Sequence, residues 1–258
     1  MTLSAGDGTR IVARRTGRGE PVVLVHGSNG GLDSWDPIVP LLAGEYELWV
    51  YARRGYPPSG ASRDGKTFAD DLADLRAVLD AAGGSAHVVG ASYGAVVALH
   101  AGRDISAGTR TLTAFEPPLF AFGAAVAEVL TRYRDLLARG DLAAATLLFA
   151  AEVARVPEAM LAALAGAAPL PAAELAGSLH DLEAMAADVP DLARWAGLEV
   201  PVTLIQGSET WSPMPETMDA LGAAMPFASR VVLPGQSHFA THTAPEMFAE
   251  VVRQSLGR

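Results

Sequence analysis

No cysteine occurs in the 258 residues, which excludes disulfides, a thiolate nucleophile and cysteine-ligated metal. Lysine is nearly absent: Lys66 stands alone against eighteen arginines, and the net charge is −10. Phosphate binding needs concentrated basic side chains, so this balance argues against nucleic acid as a partner. The preference for arginine reads as compositional bias, and Lys66 is assigned no functional role. No uninterrupted apolar run approaches the roughly 18 residues of a membrane span. Residues 1–15 lack the apolar stretch of a secretion signal. The expectation is a cytoplasmic protein with no membrane partner. Half of the residues are apolar and no composition break divides the chain, so one α/β domain with an insertion is expected.

The strongest local signal is at residues 84–99, GSAHVVGASYGAVVAL. An apolar run leads into GASYG, which fits GxSxG through Gly90, Ser92 and Gly94, and a helix of small apolar residues follows. This order predicts a buried strand, a tight turn and a helix, with Ser92 at the tip of the turn. Side chains at the two glycines would collide with the neighbouring strand or helix. The helix N-terminus beside the serine offers free backbone N–H groups to an oxyanion.

Elsewhere a hairpin is expected over 1–18, with strands near 21–25, 46–51, 111–115, 200–205 and 230–233. Helices are expected over 68–82, 214–224 and 244–256. Asp70, Asp71 and Asp74 are assigned to the solvated face of the 68–82 helix. Arg53 and Arg54 read as holding their loop through carboxylate and carbonyl contacts. The loop His26-Gly27-Ser28-Asn29-Gly30-Gly31 lacks GxGxxG and a Lys-Ser/Thr pair, which argues against a nucleotide site. It suits backbone N–H groups directed into an active site. Residues 119–198 are alanine-rich with helical apolar spacing and no strand-like run. Their place between two strands predicts a helical lid, 119–198, inserted into a core made of 1–118 and 199–258. Trp35, which also reads as a packing anchor, joins Phe120, Met185 and Trp211 as candidates to line a substrate cavity.

A serine hydroxyl is a poor nucleophile, so the elbow requires a base and a group to orient it. Of the six histidines, only His238 and His242 follow the last strand, on the side where strand ends gather. The glycine-bearing loop around His238 favours that residue over His242.

The order of serine, acid and histidine at strand ends resembles the α/β-hydrolase superfamily. The resemblance spans essentially the whole chain. It rests on His26-Gly27, the turn from Arg54-Gly55 to Ser59, the elbow, the helical insertion, and PGQSH ending at His238. It implies a doubly covered, mostly parallel sheet with an inserted lid, and no cofactor or metal. By position, Ser92 is the implied nucleophile, His238 the base, and the backbone N–H groups of Ser28 and Tyr93 the oxyanion hole. Two positions depart from the common pattern. Ala52 stands where the family often has Asp before the Arg-Gly turn. Thr210 stands where many members carry the triad acid. Glu116, directly after a strand in AFEPP, and Glu209 are the substitutes. Glu116 is favoured because AFEPP resembles the arrangement in an actinobacterial-type hydrolase group and in fungal resorcylic lactone hydrolases. The expected activity is cleavage of a small apolar ester or lactone through an acyl-enzyme. A thioesterase or acyltransferase, and a catalytically silent binding protein of the same fold, are the alternatives.

Overall fold

The computed structural model describes residues 1–257. In chain order the strands are β1 (Thr2–Ser4), β2 (Arg10–Gly17), β3 (Glu20–Val25), β4 (Tyr46–Ala52), β5 (Ala86–Ala91), β6 (Thr109–Phe115), β7 (Val202–Gly207) and β8 (Ser229–Leu233). They form one sheet in the order β1-β2-β4-β3-β5-β6-β7-β8. β2 runs antiparallel to β1 and β4, and β4 through β8 pair in parallel. The helices are α1 (Val39–Leu42), α2 (Phe68–Ala81), α3 (Tyr93–Asp104), α4 (Ala124–Ala138), α5 (Leu142–Leu148), α6 (Glu158–Ala165), α7 (Ala172–Ala187), α8 (Met214–Ala224), α9 (Ala240–Thr243) and α10 (Pro245–Leu256).

The period-two alternation of strand side chains divides the core between the two faces of the sheet. Val22, Leu24, Leu48 and Val50 pack with Trp35, Phe248 and Val252 on the face covered by α1 and α10. Val23, Val25, Val88 and Tyr51 pack with Leu75, Val78, Val96 and Leu99 of α2 and α3 on the other. A strand covered on both sides has no reason to alternate apolar with polar, which is why β3 reads as an unbroken run.

Between β6 and β7 the chain forms α4 to α7, with no strand among the described residues. The Tyr133 hydroxyl on α4 donates to the Leu175 carbonyl of α7 at 3.2 Å. After α5 the backbone continues through a π-helical turn, Phe149–Val153. α6 differs from its neighbours in burying none of its residues.

The structure overturns the placement of three acids on a solvated face. Asp71 and Asp74 of α2 are fully buried and Asp70 nearly so. The reason lies in Arg53 and Arg54, which leave the end of β4 directly into the interior. Arg54 grips Asp74 through Nη2 at 2.6 Å and also reaches Asp70 at 3.2 Å and Asp7 at 2.8 Å. Lys66 is likewise fully buried, 2.9 Å from both Asp71 and Asp181. Buried cations require carboxylates beside them, and α2 supplies these from the face turned to the core.

Candidate active site

Four loops at the carboxyl ends of β3, β5, β6 and β8 converge on one place. The first is the turn between β5 and α3. Ser92 sits there with φ 54° and ψ −123°, a left-handed conformation that costs an ordinary residue about 1–3 kcal/mol. Its N–H donates to the Phe115 carbonyl at 2.8 Å, tying the turn to β6. The flanking glycines are sterically required. A Cβ at Gly90 would lie 2.1 Å from the Gly94 carbonyl oxygen, and one at Gly94 would lie 2.2 Å from that of Val25.

The second loop, following β3, passes close over the serine: a Cβ on Gly27 would stand 3.0 Å from Ser92 Cβ. Ser28 lies next in this loop and lines the cavity with Ser92. Tyr93 opens α3, so its N–H has no acceptor within the helix.

The third and fourth loops bring Glu116 and His238 together. Glu116 is fully buried directly after β6, with φ 46°. Its Oε1 accepts the Gly207 N–H at 2.8 Å, and its Oε2 accepts the Thr210 hydroxyl at 3.1 Å. The same Oε2 lies 2.6 Å from His238 Nδ1. A carboxylate can only accept, so Nδ1 carries the hydrogen and Nε2 is left as the basic nitrogen of the ring. Phe115 stacks on the imidazole at 5.9 Å. Glu209, in contrast, is exposed and bonds its neighbour Ser208 at 3.3 Å. His242 is also exposed, on α9, with Thr241 Oγ1 2.9 Å from its Nδ1.

Ser28, Ser92 and His238 line two adjoining cavities. The narrow one, about 30 Å³, is walled by Phe120, Phe149, Met185, Trp211 and Met214. The wide one, about 550 Å³, runs past Asn29, Trp35, Leu164 and Glu174. Phe120, Met185 and Trp211 thus face the narrow arm. Trp35 borders the wide arm while packing on Phe248 at 6.1 Å. Trp211 Nε1 donates to the Ala154 carbonyl at 2.9 Å, linking the loop after β7 to the insertion. Among the described residues Ser92 Oγ makes no direct hydrogen bond to His238; such bonds often tighten only when substrate occupies the site.

Behind the loop of Ser28 lies a set of polar residues of which His26 and Arg53 stood out in the sequence and Asp181 did not. His26 Nε2 accepts the Arg53 N–H at 3.1 Å, while its Nδ1 lies 2.7 Å from the Gly27 carbonyl oxygen. Burial, reinforced by the Arg53 charge, pushes the His26 pKa down to about 3. Asp181, from α7, receives Arg53 in a two-pronged contact of 2.7 Å on each oxygen. Burial alone would raise the Asp181 pKa, but Arg53 and Lys66 outweigh it and hold the carboxyl below its ordinary range. Away from the cavity, Asp64, His180 and Glu183 place ligand atoms within 4.8 Å of one another. Glu183 there already serves Arg134 at 2.9 Å and the Gly65 N–H at 3.0 Å.

Residues 22–251 match the pattern of the alpha/beta hydrolase family. The chain belongs to that family. Among solved structures, an alpha/beta hydrolase from Sphaerobacter thermophilus superposes with a TM-score of 0.86 at 30% identity, covering 99% of this chain and all of that one. An enol-lactonase from Burkholderia xenovorans superposes with a TM-score of 0.80 at 21% identity over the full length of both chains, a likeness of fold. A protein of Azorhizobium caulinodans named as a candidate carbamate hydrolase, RutD, is 31% identical over 98 residues. That match spans 38% of this chain and only 37% of the relative. No helix among the described residues is long and apolar enough to cross a membrane. Membership of that family supports a hydrolytic enzyme acting on a small molecule.

Proposed function

We propose that this hydrolase cleaves a carboxylic ester or lactone by way of an acyl-enzyme on Ser92. The observation that carries the reading is the Glu116–His238 pair, 2.6 Å apart, whose imidazole lines the same cavity as Ser92. Glu116 fixes the tautomer of His238 and stabilises the imidazolium that forms when Nε2 removes the proton of Ser92. Ser92 attacks the carbonyl, and the N–H groups of Ser28 and Tyr93 receive the negative charge on oxygen. His238 then returns the proton to the leaving alcohol, and a water repeats the cycle to release the acid. The helical insertion acts as the lid. Its Phe120, Phe149 and Met185 give the narrow arm apolar walls, which suits a small apolar portion of the substrate.

A thioesterase served by an acidic carrier protein would need free cations on the insertion. Arg132 and Arg134 are instead paired with Glu152 and Glu183, and Arg155 lies over the Phe120 ring, so with Arg139 the insertion carries scattered charge and no basic docking face, and the ester or lactone reading is preferred. A fluorophosphonate probe tests it directly. Labelling at Ser92 that is lost in Ser92→Ala, together with loss of hydrolysis of p-nitrophenyl acetate, is expected. Retention of most activity by Ser92→Ala removes the assignment.

A further inference from the structure

Arg53, Lys66, Asp71 and Asp181 come from four separate segments and are all fully buried. Two charges of each sign balance. Lys66 Nζ lies 2.9 Å from Asp71 Oδ1 and 2.9 Å from Asp181 Oδ1, and Arg53 bridges the same two carboxylates. Removing four charges from water is a costly way to fasten a helix, and the contacts of this cluster suggest a more specific use.

Both residues assigned as oxyanion donors anchor their side chains in it. Ser28 Oγ donates to Asp181 Oδ2 at 2.8 Å, and Tyr93 Oη donates to Asp71 Oδ2 at 2.6 Å. Arg53 also grips the loop backbone, with Nε on the His26 carbonyl and Nη2 on the Gly27 carbonyl, each at 3.1 Å. The Gly27 carbonyl and the Ser28 N–H belong to one planar trans peptide, in which the two groups point in opposite directions. Holding the carbonyl on Arg53 therefore turns the Ser28 N–H away from Arg53. Asp181 reaches the cluster from α7, which lies against Tyr56 so closely that a Cβ on Gly177 would come 2.5 Å from the ring. Tyr56 in turn donates its hydroxyl to Asp181 at 2.6 Å.

We propose that the Arg53–Lys66–Asp71–Asp181 cluster is a positioning device through which α7 of the insertion orients the two oxyanion donors, Ser28 and Tyr93. None of the four touches the reacting atoms. The inference rests on the acyl-enzyme reading above and adds that the oxyanion hole is set from the insertion side.

Ser28→Ala tests it with the least disturbance, because the backbone donor and all four charges remain. Asp181→Asn is the stronger perturbation, and Tyr56→Phe takes its place if that variant fails to fold. Active sites are first counted by end-point fluorophosphonate titration, so that unfolded protein does not enter the rate. The expected result for Ser28→Ala, and for Asp181→Asn or its replacement, is a fall in kcat of about tenfold or more, with KM for p-nitrophenyl acetate within threefold. Affinity for an alkyl trifluoromethyl ketone, which mimics the tetrahedral oxyanion, falls in proportion to kcat/KM. If kcat per titrated site and ketone affinity stay within twofold of the parent, whether or not the melting temperature drops, the cluster is structural and the proposal is overturned. Ser92→Ala separates the two readings. Loss of activity there keeps the acyl-enzyme mechanism whatever the positioning variants do, and its survival defeats the mechanism itself.

Discussion

Thr210 donates its hydroxyl to Glu116 Oε2 at 3.1 Å, the same oxygen that lies 2.6 Å from His238 Nδ1. The loop after β7, where the family resemblance places the acid, here carries a hydrogen-bond donor to Glu116, the acid proposed for the triad, which follows the neighbouring strand β6.

Glu116→Gln is expected to lower kcat by about 10³–10⁴, the scale seen when a triad acid loses its charge but keeps its shape. Glu209→Gln is expected to stay within about twofold, because an exposed carboxylate that makes no contact with the imidazole contributes little to it. Steady-state hydrolysis of p-nitrophenyl acetate by the two variants decides between the acids. A reversed pattern assigns the role to Glu209.

Gly94→Ala is expected to destabilise the chain by at least the ~1–3 kcal/mol of an overpacked core. The obstacle is the Val25 carbonyl oxygen, 2.2 Å from the added Cβ, and backbone of a central strand cannot rotate aside as a flexible side chain can. Urea unfolding measures the effect. A midpoint equal to the parent's contradicts the close approach of α3 to β3.

Stability is expected to fall with acidity through His26. Its folded pKa of about 3 lies below the ordinary 6.5, so between these values the unfolded chain binds a proton that the folded chain refuses. The contribution is complete above about pH 6.5 and is lost as pH drops toward 3, by up to ~1.4 kcal/mol per pH unit. Protonating Nε2 would also break its bond to the Arg53 N–H. Urea midpoints of parent and His26→Gln across pH 3–7 check this. Parallel curves refute it.

Met185→Ala is expected to lengthen the narrow arm. Met185 is 1% exposed and lines that arm, so truncation costs about 2–5 kcal/mol of stability. It raises kcat/KM for butanoyl over acetyl esters by roughly tenfold, the worth of one or two methylenes finding room. An acyl-chain series of p-nitrophenyl esters gives the answer. An unchanged preference locates the acyl group in the wide arm.

The sheet was legible because its central strands are buried on both faces, so Val22, Val23, Leu24 and Val25 stand out whatever their register. The elbow was legible because strand, turn and helix follow one another without a break from β5 to α3, although the contact that demands Gly94 comes from the Val25 carbonyl of β3. The acids of α2 were misread for a different reason. Asp71, Asp74, Leu75 and Val78 follow the i, i+3, i+4, i+7 rule of a single helix face, so the spacing placed the aspartates on the apolar stripe while their charge suggested water. The neighbouring Arg53 and Arg54 explain the burial, but a contact such as Arg53 to Asp181 spans 128 residues of chain. No local pattern announces it. Lys66 carries no local signal, since rarity alone reads as composition, whereas the lone lysine lies between the two buried carboxylates.

The two halves of the insertion differ mechanically. α7 is moored to the core by Asp181 beneath it and by Gly177 against Tyr56, so lifting it would leave Arg53 and Lys66 to share the single carboxylate of Asp71. α6 has no buried residue, yet Leu164 on it reaches the wall of the wide arm. Opening the doorway at α6 therefore breaks the fewest interior contacts, and amide exchange over 158–165 should outpace that over 172–187. Slower exchange at α6 would reverse the assignment. Recruitment of new substrates can then proceed by rewriting one short helix, while the ballast that keeps the catalytic floor aligned stays untouched.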